Sequence, residues 1–228
     1  MANVLVICAH PDDEVLGAAG TLSRHAAEGD DVHLLFLSEG VTARDASFDP
    51  VARAGDIEAR KKMARKAAAI MGAQEPAFLD LKDNRLDGIE LLDIVKKIEK
   101  VIASICPTII YTNHANDLNV DHRITHQAVL TACRPMVGNP VRTIYAFETA
   151  SSTEWEPAGL GRLFQPNHFV DISNYWEQKR AALAAYEVEM RPFPHPRSIE
   201  AVEAQTKSRG AQSGLLAAEA FVMVREII

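Results

Sequence analysis

Val4-Leu-Val-Ile-Cys-Ala9, His10-Pro-Asp-Asp-Glu14, Val15-Leu-Gly-Ala-Ala-Gly-Thr-Leu-Ser-Arg-His25 and, after Gly29, Val32-His-Leu-Leu-Phe-Leu37 decide the fold. The first run is apolar without alternation, as in a strand buried on both faces of a parallel sheet. The small-residue stretch after Glu14 reads as a helix, and the second apolar run restarts strand character. Strand, helix and strand make a βαβ unit, for which parallel pairing and a right-handed crossover are the default.

The alternation continues outward. Ile57 to Met71 reads as a helix stopped by Gly72, Ala77–Leu81 as a strand, and Glu90 to Ser104 as a helix with Leu91, Leu92, Val95, Ile98, Val101 and Ile102 on its apolar stripe. Strands are expected at Thr108–Thr112, Thr143–Phe147 and Phe169–Ile172, and helices from Asp121 to about Cys133, from Trp176 to Met190 and from Ile199 to Arg209. Glu219 to Ile228 is a final apolar segment, and Ser38–Gly55 and Ser151–Pro166 read as irregular. The expected fold class is α/β: one Rossmann-like domain over residues 1–228, with a mostly parallel twisted sheet flanked by helices. Such sheets bind ligands beyond the carboxyl ends of their strands.

The chain has 228 residues, 47% hydrophobic and 24% charged, which excludes disorder, and its formal charge of −7 gives no electrostatic footprint for nucleic acid. No secretory signal or membrane span is legible. Cys8, Cys106 and Cys133 follow no metal or redox spacing, as expected of reduced thiols in a cytoplasmic protein.

His10-Pro11-Asp12-Asp13-Glu14 falls at the end of the first strand, where packing asks for no imidazole and no adjacent carboxylates. His10 and Asp13, three apart on a tight turn, can meet one ion, leaving Asp12 for proton transfer. The competing reading makes Asp12 and Asp13 caps of the following helix. A third ligand is available in Asn119-Val120-Asp121-His122, after another strand that returns to the same sheet edge. Two histidines and a carboxylate with an open position for water is the catalytic zinc pattern. His126, one helical turn on, is a rival ligand to His122, and Asp121 is a candidate to support a ligand.

Ala9-His-Pro-Asp-Asp-Glu14 together with Asn119-Val-Asp-His122 resembles the PIG-L/LmbE-like family of zinc-dependent N-deacetylases, which act on N-acetylglucosamine groups of phosphatidylinositol glycans and of mycothiol and bacillithiol precursors. Leu81-Lys-Asp-Asn-Arg85 and Pro194-His-Pro-Arg-Ser198 fall where relatives carry similar segments. The resemblance implies one zinc per subunit, with other divalent metals as alternatives, held by His10, Asp13 and His122. It implies Asp12 as general base and Arg60 and Asp83 as substrate-binding residues. The Arg60 match is only fair, because Met63 stands where relatives carry Glu. It also implies a small acylated amino-sugar substrate and a homo-oligomer.

One position departs from the family. Asn119 stands where relatives often carry the histidine that stabilises the tetrahedral intermediate; asparagine donates a hydrogen bond but supplies no proton. His195, between Pro194 and Pro196, is the expected substitute, from its own subunit or a neighbouring one. The function expected is removal of an N-acetyl group by metal-activated water. The alternative is a sugar- or nucleotide-binding member of the fold without that catalysis. Metal-dependent phosphoester hydrolysis would want more ligands than these turns supply.

Overall fold

The computed structural model describes residues 1–46, 48–157 and 163–228, so the two expected irregular stretches lie partly outside the described residues. Seven strands form one sheet: β1 (Asn3–Cys8), β2 (Asp31–Ser38), β3 (Ala77–Leu81), β4 (Ile109–Asn113), β5 (Thr143–Phe147), β6 (His168–Asp171) and β7 (Ala218–Glu226). Their order is β3-β2-β1-β4-β5-β7-β6. The first five are parallel, and β7 runs antiparallel to both β5 and β6. The final apolar segment of the sequence is therefore an inserted antiparallel strand.

Among the described residues, seven α-helices flank the sheet: α1 (Asp13–Gly17), α2 (Ala19–Ala27), α3 (Ala54–Met71), α4 (Leu91–Ile105), α5 (Val120–Ala132), α6 (Trp176–Ala185) and α7 (Ile199–Ser213). Two cores result, one on each face. Val4, Val6, Phe36, Tyr111 and Phe147 pack with α2, α3 and α6, whereas Leu5, Ile7, Leu35 and Ile110 pack with α4 and α5. Both faces of β1 are thus buried, which is why its sequence shows no alternation.

The helix expected over Val15–His25 is two helices that meet at Ala18, whose φ of −144° breaks the helical path. Their glycines permit close approach to the sheet. A Cβ on Gly17 would stand 2.3 Å from the Phe147 ring, and one on Gly20 2.7 Å from Ile172. Ala18 cannot cap α2, so Glu219 of β7 does: its carboxylate accepts the Gly20 and Thr21 N–H groups at 3.0 and 2.7 Å. Buried Lys179 of α6 bonds the same carboxylate at 2.6 Å. The helix from Trp176 ends at Ala185 rather than Met190, because Tyr186 turns inward to donate to Glu14. α7 continues past Arg209 to Ser213 and stops at Gly214, whose φ is +74°.

Strand order reverses between β1 and β4, both central. The loops leaving their carboxyl ends begin at Ala9 and His114, and a crevice opens there in this class of sheet.

Candidate metal centre and its cavity

Three elements bring the site together. The β1–α1 turn carries His10, Asp12 and Asp13; the start of α5 carries Asp121 and His122; the segment after β3 carries Asp83. Asn113 at the end of β4 fastens that strand to the β1–α1 turn: its Oδ1 accepts the Ala9 N–H at 3.0 Å and its Nδ2 donates to Asp13 at 3.0 Å.

His10 Nδ1 lies 3.2 Å from His122 Nε2, and Asp13 reaches each ring at 3.6 and 3.3 Å. His10, Asp13 and His122 offer donor atoms all within 4.8 Å of one another, and all three residues are buried. Asp13 Oδ1 takes no hydrogen bond among the described residues. A buried carboxylate oxygen left this way is costly unless a cation completes it. Two imidazoles and a carboxylate suit a borderline dication such as zinc, so the residues present fit the implied metal.

Each imidazole is backed by a carboxylate on its far nitrogen. Asp121 stands 3.3 Å from His10 Nε2 and is itself fixed by the Asn84 and Leu86 N–H groups. Asp117 stands 3.1 Å from His122 Nδ1 and accepts the Ser152 and Thr153 hydroxyls. A histidine that ligates through one nitrogen carries its proton on the other, and a carboxylate there fixes tautomer and ring orientation. Asp83 also reaches His10 Nε2, at 3.1 Å, so His10, Asp83 and Asp121 form a second cluster on the ring's other side. His126 is engaged elsewhere, on the Asn113 carbonyl oxygen at 2.9 Å, and belongs to neither cluster.

The charges are coupled. Burial works against the imidazolium of His10, but Asp121, Asp13 and Asp83 outweigh it and raise its pKa well above the usual value. For His122, burial is likewise outweighed, by Asp13 and Asp117, and the pKa rises to about 9. Asp13, opposed by its own burial, is held well below the usual carboxylate range by His122 and His10.

Asp12 is different. It occupies the position before α1, yet its side chain makes no capping hydrogen bond, which decides against the capping role. Its φ of +135° is strained for a residue with a side chain; the Glu14 carboxylate accepts its N–H at 3.0 Å, and Tyr186 donates to that carboxylate at 2.7 Å. Burial raises the Asp12 pKa, Arg197 opposes the rise, and Asp13 adds to it. The strained turn aims the carboxylate into a cavity of about 580 Å³, which His10, Asp83, Arg60 and Asn119 also line.

The structure places the remaining expected residues unequally. Arg60 lines the cavity, bonds the Pro11 carbonyl at 3.0 Å and pairs with Glu189. Asn119 caps α5 by accepting the Asp121 N–H at 2.8 Å, which leaves its Nδ2 as a donor at the cavity. His195 does not line this cavity; its ring lies edge-on to Trp155, 5.9 Å between centroids. Arg197, two residues on, is the member of that loop that reaches Asp12, at 2.7 Å. Asn113, Asp117, Glu189 and Arg197 were not expected from sequence. Two of them carried a signal: Asp117 as an acid in the polar loop before Asn119, and Arg197 as a member of the segment 194–198, in which His195 was singled out instead.

Comparison with known proteins gives the family of the chain. The PIG-L family profile, described as GlcNAc-PI de-N-acetylase, matches residues 5–133, and the chain belongs to that family. It is 28% identical over 187 residues to the uncharacterized deacetylase YaiS of Escherichia coli K12, covering 79% of this chain and 88% of the relative. It is also 28% identical over 186 residues to a probable N-acetyl-alpha-D-glucosaminyl L-malate deacetylase 2 of Bacillus cereus, covering 81% and 82%. Among solved structures, GalB, the 4-carboxy-2-hydroxymuconate hydratase of Pseudomonas putida KT2440, superposes with a TM-score of 0.77 at 23% identity, covering 100% of this chain and 98% of that one. That likeness concerns the fold. Among the described residues, no helix is long and apolar enough to cross a membrane.

Proposed function

We propose that the protein is a metal-dependent N-deacetylase that releases acetate from an N-acetylated amino-sugar derivative. The observation that carries this reading is Asp12: a buried carboxylate, on a strained turn, beside the His10–Asp13–His122 cluster and open to a polar cavity. A site built only for binding gains nothing from a strained, unligated acid there.

His10, Asp13 and His122 would hold the ion, zinc in the first instance. When bound, it supplies Lewis acidity, making water more acidic and polarising an amide carbonyl. Asp12 takes a proton from the attacking water and returns it to the departing amine, so that amide and water become acetate and a free amino sugar. Asn119 Nδ2 would donate to the carbonyl oxygen, a contact worth about 3–4 kcal/mol where such donors have been removed. Arg60 and Asp83, which both line the cavity, would position the sugar.

The test is acetate release from a panel of N-acetylated sugars and sugar conjugates, before and after chelation and zinc restoration. Asp12→Asn is expected to keep bound zinc and lose turnover by about 10²–10⁴-fold, the usual worth of a positioned base. Undiminished kcat in that variant refutes the assignment. Hydration of an unsaturated carboxylic acid, without acetate release from any amide, would reassign the site to a lyase.

A further inference from the structure

Among the described residues, the charged side chains that line the cavity each have a partner, with one exception. Asp12 pairs with Arg197, Glu189 with Arg60 and Arg197, and Asp83 with His10. Arg53 is held between Asp45 and Asp56 at 2.7 and 2.8 Å. Arg44 is the exception: it lines the same cavity, is exposed, and makes no hydrogen bond, ion pair or ring contact among the described residues.

An exposed arginine is ordinary on a surface. The backbone that presents this one is not. Thr42–Arg44 form a single 3₁₀ turn, and the Glu39 carboxylate accepts the Val41 and Thr42 N–H groups and the Thr42 hydroxyl. Asp83 accepts the Ala43 N–H at 3.2 Å while its other oxygen touches His10. The turn that carries Arg44 is thus fastened through one buried carboxylate to a member of the metal cluster. A guanidinium on a fixed backbone, with its donors unspent at the mouth of a polar cavity, is a ready partner for a carboxylate or phosphate.

We infer that the substrate carries an anionic group on the part remote from the acetamide, and that Arg44 selects for it. This rests on the deacetylase reading and adds the charge of the substrate's other end. The contact is partly solvated, so it governs binding of substrate and transition state alike and shows in KM rather than kcat.

The experiment compares three probes on the zinc-loaded protein: methyl N-acetyl-α-glucosaminide, which is neutral, its carboxymethyl analogue, and N-acetylglucosamine 1-phosphate. KM is expected to be lower for one or both anionic probes, and to rise about 10-fold for them in Arg44→Gln, one decade for roughly 1.4 kcal/mol of lost binding. kcat should stay unchanged, and the neutral probe should be unaffected. Arg44→Lys should retain part of the preference, and salt should erode it in the wild type and in Arg44→Lys, while Arg44→Gln has none left to erode. Which anionic probe responds identifies the group as carboxylate or phosphate. Equal KM for all three probes, or an equal rise for all in Arg44→Gln, overturns the inference. If no probe is turned over, titration calorimetry of the same probes decides separately: tighter binding of an anionic probe that Arg44→Gln abolishes upholds the role of Arg44 while the deacetylase reading fails, and its absence overturns both.

Discussion

Asp117 shows how a residue two positions from the recognisable motif governs it. Its carboxylate faces His122 Nδ1 at 3.1 Å and is fixed by two hydroxyls, so it would hold the proton on that nitrogen and leave Nε2 for the proposed ion. Burial opposes its ionisation, but His122 and the hydroxyls of Ser152 and Thr153 hold its pKa below the usual value. Asp117→Asn keeps the shape and removes the charge. Zinc affinity is expected to fall by about 10–100-fold, the usual effect of losing such a partner, with the fold retained. Competition with a chromophoric chelator measures it, and unchanged affinity would show that Asp117 only ties the loop to Ser152 and Thr153. The contiguous motifs made His10, Asp12, Asp13 and His122 legible, because turn chemistry and ligand spacing are local. Asn113 was not legible, because its role depends on the pairing of β1 with β4; the segment 194–198 was, but not that Arg197 rather than His195 reaches Asp12, since that contact closes across 185 residues.

At the scale of elements, periodicity located nearly every strand and helix and missed what tertiary contacts impose. Residues 13–27 contain no proline, and Gly17 and Gly20 weaken a helix without stopping it, so the local sequence does not fix a break at Ala18. The break follows from two contacts at a distance, Gly20 against Ile172 and the Glu219 carboxylate on the first turn of α2. Gly20→Ala therefore places a methyl 2.8 Å from the Ile172 Cβ, an atom that cannot swing aside. Overpacking of this kind costs about 1–3 kcal/mol, and a chain this long loses roughly 2–4 °C of Tm per kcal/mol. Gly55→Ala in α3 is the control, since nothing lies within 4 Å of its added Cβ. It is expected to be neutral or to stabilise by up to about 1 kcal/mol, through helix propensity alone. Calorimetric scans of the two variants separate packing from propensity, and equal Tm values would remove the close approach of α2 to the sheet.

Across the whole molecule, the site joins the loops that follow the two central strands, from His10 to His122, at the carboxyl edge of the sheet. An ion held there binds the folded chain and not the unfolded one, so it stabilises globally, by about 2.7 kcal/mol at a free concentration 100-fold above Kd. The cysteines supply reporters at suitable places. Cys106 is exposed, whereas Cys8, one strand end from His10, and Cys133, at the end of α5, are buried. Burial pushes the Cys133 thiol up to about 12, and burial with Asp13, Glu14 and Asp12 nearby pushes Cys8 well above its usual value. Neither forms the reactive thiolate without opening of the structure. At neutral pH, a thiol reagent is expected to modify Cys106 at once and the other two slowly in the zinc-loaded protein. Chelation should lower Tm and speed the labelling of Cys8 and Cys133 together, because both then wait on the same global unfolding. Acceleration of Cys8 alone would mean that the ion secures only the β1–α1 turn. If chelation moves neither the labelling rates nor Tm, the two loops are held by protein contacts alone, and His10, Asp13 and His122 do not share an ion.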